Sequence, residues 1–181
     1  MLYLCASLRA SFADRPQFEF CYSAVHLRRK LMPERIELRP VSGSDKQRWR
    51  ELMMAYAEFY EVEVNDEGLA ATWRWIEDAE ENFWCTFAED GAGQVTGFTQ
   101  YQLMHRSLSG SLVCYLSDLY VEPAVRGGGV GRSLIDHVFQ FARDNNIPNV
   151  RWLTQDFNAP ARKLYDTYGH KSDFILYSFP V

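Results

Sequence analysis

Residues 112 to 121 are apolar in both phases of a strand's alternation, with Val113, Tyr115, Leu119 and Val121 in one phase and Leu112, Cys114, Leu116 and Tyr120 in the other. A strand patterned this way is buried on both faces and belongs inside a sheet. Glu122-Pro123 ends it, Arg126-Gly127-Gly128-Gly129-Val130-Gly131 follows, and from Val130 the period becomes helical. Leu134, Val138 and Phe141 form one stripe, which Ile135, Phe139 and Ala142 broaden. A buried strand that turns through glycines into an amphipathic helix must fold that helix back over the sheet, so the fold class is α/β.

The glycines also suggest a chemistry. Without β-carbons they let backbone amides turn toward one point and let a ligand come close, and the unpaired donors of a helix N-terminus favour an anion. Arg126 adds a guanidinium suited to phosphate. A Walker loop is excluded, because Arg132 stands five positions after Gly127, where that loop needs its second glycine. A dinucleotide Gly-x-Gly-x-x-Gly is excluded too, since Gly127, Gly129 and Gly131 put Arg132 or Leu134 at its last position.

What remains is Arg-x-x-Gly-x-Gly, over Arg126 to Gly131. In those residues the chain resembles the GNAT superfamily of N-acetyltransferases, whose signature of this form holds the pyrophosphate of acetyl-coenzyme A. A second resemblance follows a further strand, Val150 to Thr154: Asn158-Ala159-Pro160-Ala161-Arg162-Lys163-Leu164-Tyr165, closed by Tyr168-Gly169. As local structure it is a short helix with an Asn N-cap, a first-turn proline and a glycine stop. In the family such a helix sets its asparagine near the cofactor and its tyrosine near the coenzyme sulfur. The resemblance runs from about Ile36 to the C-terminus. It implies a mixed central sheet flanked by helices, a three-layer α/β/α sandwich. It also implies cofactor contacts from Leu119, Tyr120, Val121, Arg126, Gly127, Gly128, Gly129, Val130, Gly131, Arg132, Asn158 and Tyr165.

The other elements fit such a sandwich. Arg35 to Pro40 alternates as an edge-tolerant strand. Ser44 with Gln47 signals a capping box, and Trp49, Leu52, Met53, Tyr56 and Phe59 continue at helical spacing. A second helix is expected over residues 67–80, with Leu69, Trp73 and Ile76 inward and Trp75 off the stripe. Residues 83–88 and 95–104 read as a hairpin around Glu89-Asp90-Gly91-Ala92-Gly93, and residues 174–179 as a last strand. At 181 residues one domain is expected, spanning 32–181, with 1–31 as a poorly structured extension and Met32 as an alternative start.

No apolar run approaches a membrane span. Cysteines 5, 21, 85 and 114 and histidines 26, 105, 137 and 170 are scattered, so neither a metal site nor a disulfide framework is legible and a cytoplasmic location is the simplest expectation. From Glu58 to Glu81 nine acids face one base, Arg74, whereas from residue 32 onward the rest of the chain balances at thirteen of each. Such a run reads either as a solvated helical face or as a field that draws in a cationic amine and repels nucleic acid.

An amine with an ordinary pKa of about 10.4 must lose a proton to become a nucleophile. The site therefore needs a base, amides for the oxyanion and an acid for the departing thiolate. Strand amides near Leu119 suit the oxyanion if the sheet opens there. Tyr165 is the expected acid. Diamine acetyltransferases, which this region resembles, carry a glutamate before the strand aspartate, and here the pair is Ser117-Asp118. Asp118 is thus the expected base, with Glu58, Glu61 or a water chain as rivals. In the family the region between the first strand and the hairpin shapes the acceptor pocket, which nominates Tyr56, Tyr60, Glu61 and Trp73, with Ser117 beside them. The resemblance implies acetyl transfer from acetyl-coenzyme A to a small-molecule primary amine, such as a polyamine or amino acid. A protein amine is a variant, and a non-catalytic acyl-coenzyme A sensor is the opposing reading. The apolar run Phe174-Ile175-Leu176-Tyr177 suits either an internal sheet or a homodimer.

Overall fold

The computed structural model describes residues 35–169 and 171–180. The expectations for 1–31, including Met32 as a start, lie outside the described residues. Five strands form one sheet in the order β1-β2-β3-β4-β5. They are β1 (Glu37–Pro40), β2 (Phe83–Glu89), β3 (Val95–Arg106), β4 (Ser111–Val121) and β5 (Val150–Trp152). The first four are antiparallel neighbours, and β5 runs parallel to β4.

Helices cover both faces, which gives the three-layer sandwich. On one face α1 (Lys46–Phe59) and α2 (Asp66–Glu77) bury Trp49, Leu52, Leu69 and Trp73 against Cys85, Phe87, Phe98 and Tyr120. On the other, α3 (Val130–Asp144) and α4 (Ala159–Tyr165) pack against Tyr101, Cys114 and Leu116. Leu134, Ile135 and Val138 of α3 are fully buried, each contributing about 1.5–3 kcal/mol relative to exposure. Asn65 caps α2, its side chain accepting from the Gly68 amide at 2.7 Å.

Several expectations change in detail. The turn before α1 is built by Ser42 and Asp45 rather than Ser44 and Gln47: Asp45 accepts from the Ser42 amide at 2.8 Å, which satisfies an orphan donor one turn earlier. Residues 174–179 form no strand, and Phe174, Ile175, Leu176, Tyr177 and Phe179 are exposed. An alternating pattern makes a strand only where a neighbouring edge accepts its hydrogen bonds.

The largest change lies inside β4. Gln100 pairs with Asp118 but Tyr101 pairs with Leu116, so Ser117 is an extra, bulged residue. A bulge reverses the facing of everything beyond it. Cys114 and Leu116 face α3, yet Leu119 and Val121 also face α3, while Tyr120 joins the cluster under α1. The two apolar phases of the sequence therefore exchange sides at Ser117.

Candidate active site

β4 and β5 pair only through Cys114, Tyr115 and Leu116. From Ser117 onward no strand among the described residues pairs with β4 on that side, so the sheet splays and alternate backbone amides of β4 face the opening. The glycine turn, α4 and the C-terminal end of α1 surround this splay.

At the glycine turn, Gly127 and Gly129 hold left-handed φ values of 85° and 94°, and Gly129 caps α3. The first bond of the helix runs from the Ser133 amide to Gly129 O at 3.0 Å, leaving the amides of Val130, Gly131 and Arg132 without intrahelical acceptors. A Cβ at Gly127 would meet nothing within 4 Å, so the turn is unobstructed at that position. Gly131 is placed differently. A Cβ there would lie in ordinary contact, 3.5 Å from Leu164 and 3.8 Å from Val121, so Gly131 faces the packed side of the turn against α4 and β4.

Arg126 is exposed beside this turn, its Nε donating to Val121 O at 2.9 Å and its guanidinium lying over Phe59 and Tyr120 at 5.3 and 5.8 Å. Arg132 turns instead toward the end of α4. It donates to Thr167 Oγ1 at 3.0 Å and covers the Tyr168 ring at 5.2 Å. Leu119 and Val121 send their side chains into the α3 core, leaving their backbone for the splay.

Asn158 is buried where α4 starts. Its Oδ1 accepts from the Ala161 amide at 3.4 Å, and its Nδ2 donates to the Tyr60 hydroxyl at 3.3 Å and to Thr154 Oγ1 at 3.4 Å. One side chain thus ties α4 to the end of α1. Tyr165 stands edge-on to Trp152 at 5.6 Å, and burial, with nearby Tyr60, pushes its phenol up to about 12. It stays protonated at neutral pH, as an acid requires.

Asp118 faces α1 because of the bulge. It accepts from Gln100 Nε2 at 2.6 Å, and Gln100 Oε1 accepts from Trp49 Nε1 at 2.8 Å. Burial raises the carboxyl above its ordinary range, and the bonds from Gln100 and Tyr56 oppose that shift. Tyr56 is raised well above the usual phenol value, first by burial and then by Asp118, Tyr60 and Tyr165. Tyr56 and Tyr60 meet edge-to-face at 5.1 Å.

The nominated acceptor residues therefore divide. Tyr60 accepts from Asn158 at the start of α4 and Tyr56 packs against Tyr60, and Ser117 is the bulge itself, accepting from Gln102 Nε2 at 3.2 Å. Trp73 does not belong with them: at 1 % exposure it packs on Trp49 with ring centroids 5.1 Å apart, because it sits on the apolar stripe of α2. Glu61 is an exposed turn residue with φ 55°, and Glu58 is exposed near the end of α1. Sequence reasoning missed Gln100, Phe59 and Phe157. Gln100 had one signal, an amide between Phe98 and Tyr101 in the second strand of the hairpin; Phe157 stands 6.0 Å from Tyr60 and 6.2 Å from Phe59. Among the described residues no cluster of His, Cys, Asp or Glu could hold a metal, and no helix is long and apolar enough to cross a membrane.

Comparison with known proteins bears on the family and the fold. Residues 49–170 match the acetyltransferase (GNAT) family. A Saccharomyces cerevisiae D-amino-acid N-acetyltransferase is 31% identical over 149 residues, covering 82% of this chain and 92% of that protein. The thialysine N-epsilon-acetyltransferase of Sus scrofa is 33% identical over 75 residues, 41% of this chain and 44% of its own. Among solved structures, an aminoglycoside N-acetyltransferase in complex with CoA superposes with a TM-score of 0.70 at 18% identity, covering 83% of this chain and 97% of that one; it shares the fold.

Proposed function

The chain belongs to the acetyltransferase (GNAT) family, and from that premise we propose that residues 32–181 transfer the acetyl group of acetyl-coenzyme A to a primary amine of a small molecule. The observation that carries this reading is the splay of β4 from β5, with an open glycine turn at one end and a carboxylate and a phenol, Asp118 and Tyr165, beside it.

The turn fits the cofactor. Left-handed Gly127 and Gly129, the free amides of Val130 and Gly131, and the positive end of α3 suit a pyrophosphate. Arg126, held near the turn only by one carbonyl and two rings, can swing onto it. The bound cofactor supplies an activated acetyl thioester. Asp118 is the base that takes the ammonium's proton so that the nitrogen can attack, and β4 amides beyond Ser117 steady the carbonyl oxygen as it gains charge. As the C–S bond breaks, Tyr165 protonates the departing thiolate and then takes up the proton that the new amide nitrogen sheds.

A small amine suits the aromatic cluster of Tyr56, Tyr60 and Phe157 at the end of α1. A D-amino acid or a thialysine-like amine, the acceptors named for the relatives, is a suitable class. The exposed acids of α2 add a field attractive to cations and hostile to nucleic acid. A non-catalytic sensor is not favoured, since it would need neither Asp118 nor Tyr165 at the splay. The free thiols of Cys85 and Cys114 suit a reducing cytoplasm. Homodimer formation through exposed Phe174 to Phe179 completes the proposal, and light scattering with and without that segment tests it.

The deciding experiment measures thiol release from acetyl-coenzyme A with polyamines, D- and L-amino acids, thialysine and basic peptides, beside a titration of the cofactor. Release with one amine class is expected. Cofactor binding with no release from any amine would sink the transferase in favour of the sensor.

A further inference from the structure

The Arg126 guanidinium lies over two rings at once, 5.3 Å from the centroid of Phe59 and 5.8 Å from that of Tyr120. Both distances fall within the roughly 6 Å at which a ring face attracts a cation. Beyond its bond to Val121 O, Arg126 has no carboxylate in ion-pair contact among the described residues. The two rings, one from the end of α1 and one from β4, therefore form a cation site, and Arg126 is its resident.

The position of this platform suits a substrate. Phe59 is 38 % exposed, and it meets Tyr60 edge-on at 5.0 Å and Phe157 at 6.2 Å. Phe157 precedes Asn158, whose Nδ2 donates to the Tyr60 hydroxyl at 3.3 Å. The platform thus adjoins both the glycine turn and the start of α4. Asp118 pairs with Gln100 and Tyr120 with Phe98, so the carboxylate and the ring stand two register positions apart on the α1 face of β4, about 6.4–6.8 Å along the strand.

We infer that the Phe59–Tyr120 platform is an acceptor subsite, which holds a second, non-reacting cation of the amine substrate once Arg126 leaves it for the cofactor's phosphates. The inference rests on the transferase reading and adds what the site recognises beside the reacting nitrogen. One guanidinium cannot lie on the rings and on a pyrophosphate together. Arg126 and the substrate's cation compete for the same ring faces, and whatever draws Arg126 off favours the substrate. By linkage, cofactor and cation then tighten one another by the same factor. An acceptor with a neutral or anionic tail gains nothing from the rings and is the poorer substrate. No bond is made or broken on the platform.

Tetramethylammonium tests this, because it binds ring faces, donates no hydrogen bond and accepts no acetyl group. Its affinity for the full chain is read by NMR line broadening, with and without saturating coenzyme A, in the wild type, Phe59→Leu, Phe59→Trp and Arg126→Ala. A cation–π contact corresponds to about a fivefold change in affinity. Coenzyme A is expected to tighten tetramethylammonium by about that factor in the wild type. Arg126→Ala should bind it at the tight level with or without coenzyme A. Phe59→Leu should lose about fivefold in the presence of coenzyme A, and Phe59→Trp should keep the wild-type affinity, which separates a ring face from mere bulk.

A gain that persists in Arg126→Ala would come from the coenzyme's own charge and overturn the exchange. Phe59→Leu binding as tightly as the wild type would overturn the platform. Coenzyme A that binds and leaves tetramethylammonium unaffected overturns the inference and leaves the transferase standing, whereas a chain that binds no coenzyme A and releases no thiol overturns both.

Discussion

The Gln100 amide donates to Asp118 across the β3–β4 boundary at 2.6 Å, at the last register pair before the bulge at Ser117. The bulge supplies the direction and the amide supplies the hold. Without the extra residue Asp118 would face α3 rather than α1.

Gln100→Leu removes a donor that favours the charged carboxylate, so the carboxyl should rise further and the acid limb of the pH–rate profile should move to higher pH. It also leaves Trp49 Nε1 buried without its partner, which costs about 1–3 kcal/mol. Urea unfolding and a pH–rate series check the two effects separately. An unmoved acid limb would detach Gln100 from the chemistry.

Tyr165→Phe should lower kcat by roughly 10²-fold or more, the contribution expected of one general acid, with acetyl-coenzyme A affinity unchanged. Because the wild-type phenol is pushed up to about 12, it causes no alkaline fall in rate through the neutral range. A Tyr165→Phe enzyme with full turnover at neutral pH would return that role to solvent.

Much of the fold was legible because each element had its own signal. The strand from Leu112 to Val121, the glycine turn and the stripe of α3 changed period at a proline and a run of glycines, and the structure builds them there. The bulge was not legible. In a strand apolar in both phases, one inserted residue leaves the pattern unchanged, so nothing marks Ser117 as the place where faces exchange. The same ambiguity hid which way Asp118 points. Trp73 was nominated from its region of the chain, but its stripe position with Leu69 and Ile76 was the better guide, and it lies in the core. The last strand failed for a different reason: alternation at residues 174–179 says what a strand would look like, and cannot say whether an edge is there to receive it.

The glycine turn separates charge from shape. Arg126→Ala should weaken acetyl-coenzyme A binding about tenfold, the value of one good charge-assisted contact, and less at high salt. Gly127→Ala meets no neighbouring atom, yet holds φ at 85°, which costs a side chain about 1–2 kcal/mol. It should bind more weakly at every salt concentration. Titration calorimetry at two ionic strengths distinguishes the two; equal salt slopes for Arg126→Ala and the wild type would remove Arg126 from the phosphate contacts.

Arg39 joins three elements, donating to Asp45 at 2.7 and 2.9 Å and to Glu89 at 2.6 Å, and so ties β1 to β2 and to the turn before α1. The Arg39 guanidinium holds the Asp45 carboxyl well below the usual carboxylate range, despite partial burial that opposes the shift. A lowered carboxyl stabilises the folded state at every pH above its unfolded value, near 3.9, and that contribution drains away as pH falls through the folded value. Asp45→Asn should therefore cost about 2 kcal/mol at pH 7, the scale of a charged hydrogen bond. The gap from wild type should hold at pH 5 and narrow steadily below about 4. Urea midpoints at three pH values read it out, and a gap that stays constant into acid would mean that Asp45 stabilises by packing and neutral hydrogen bonds rather than by charge.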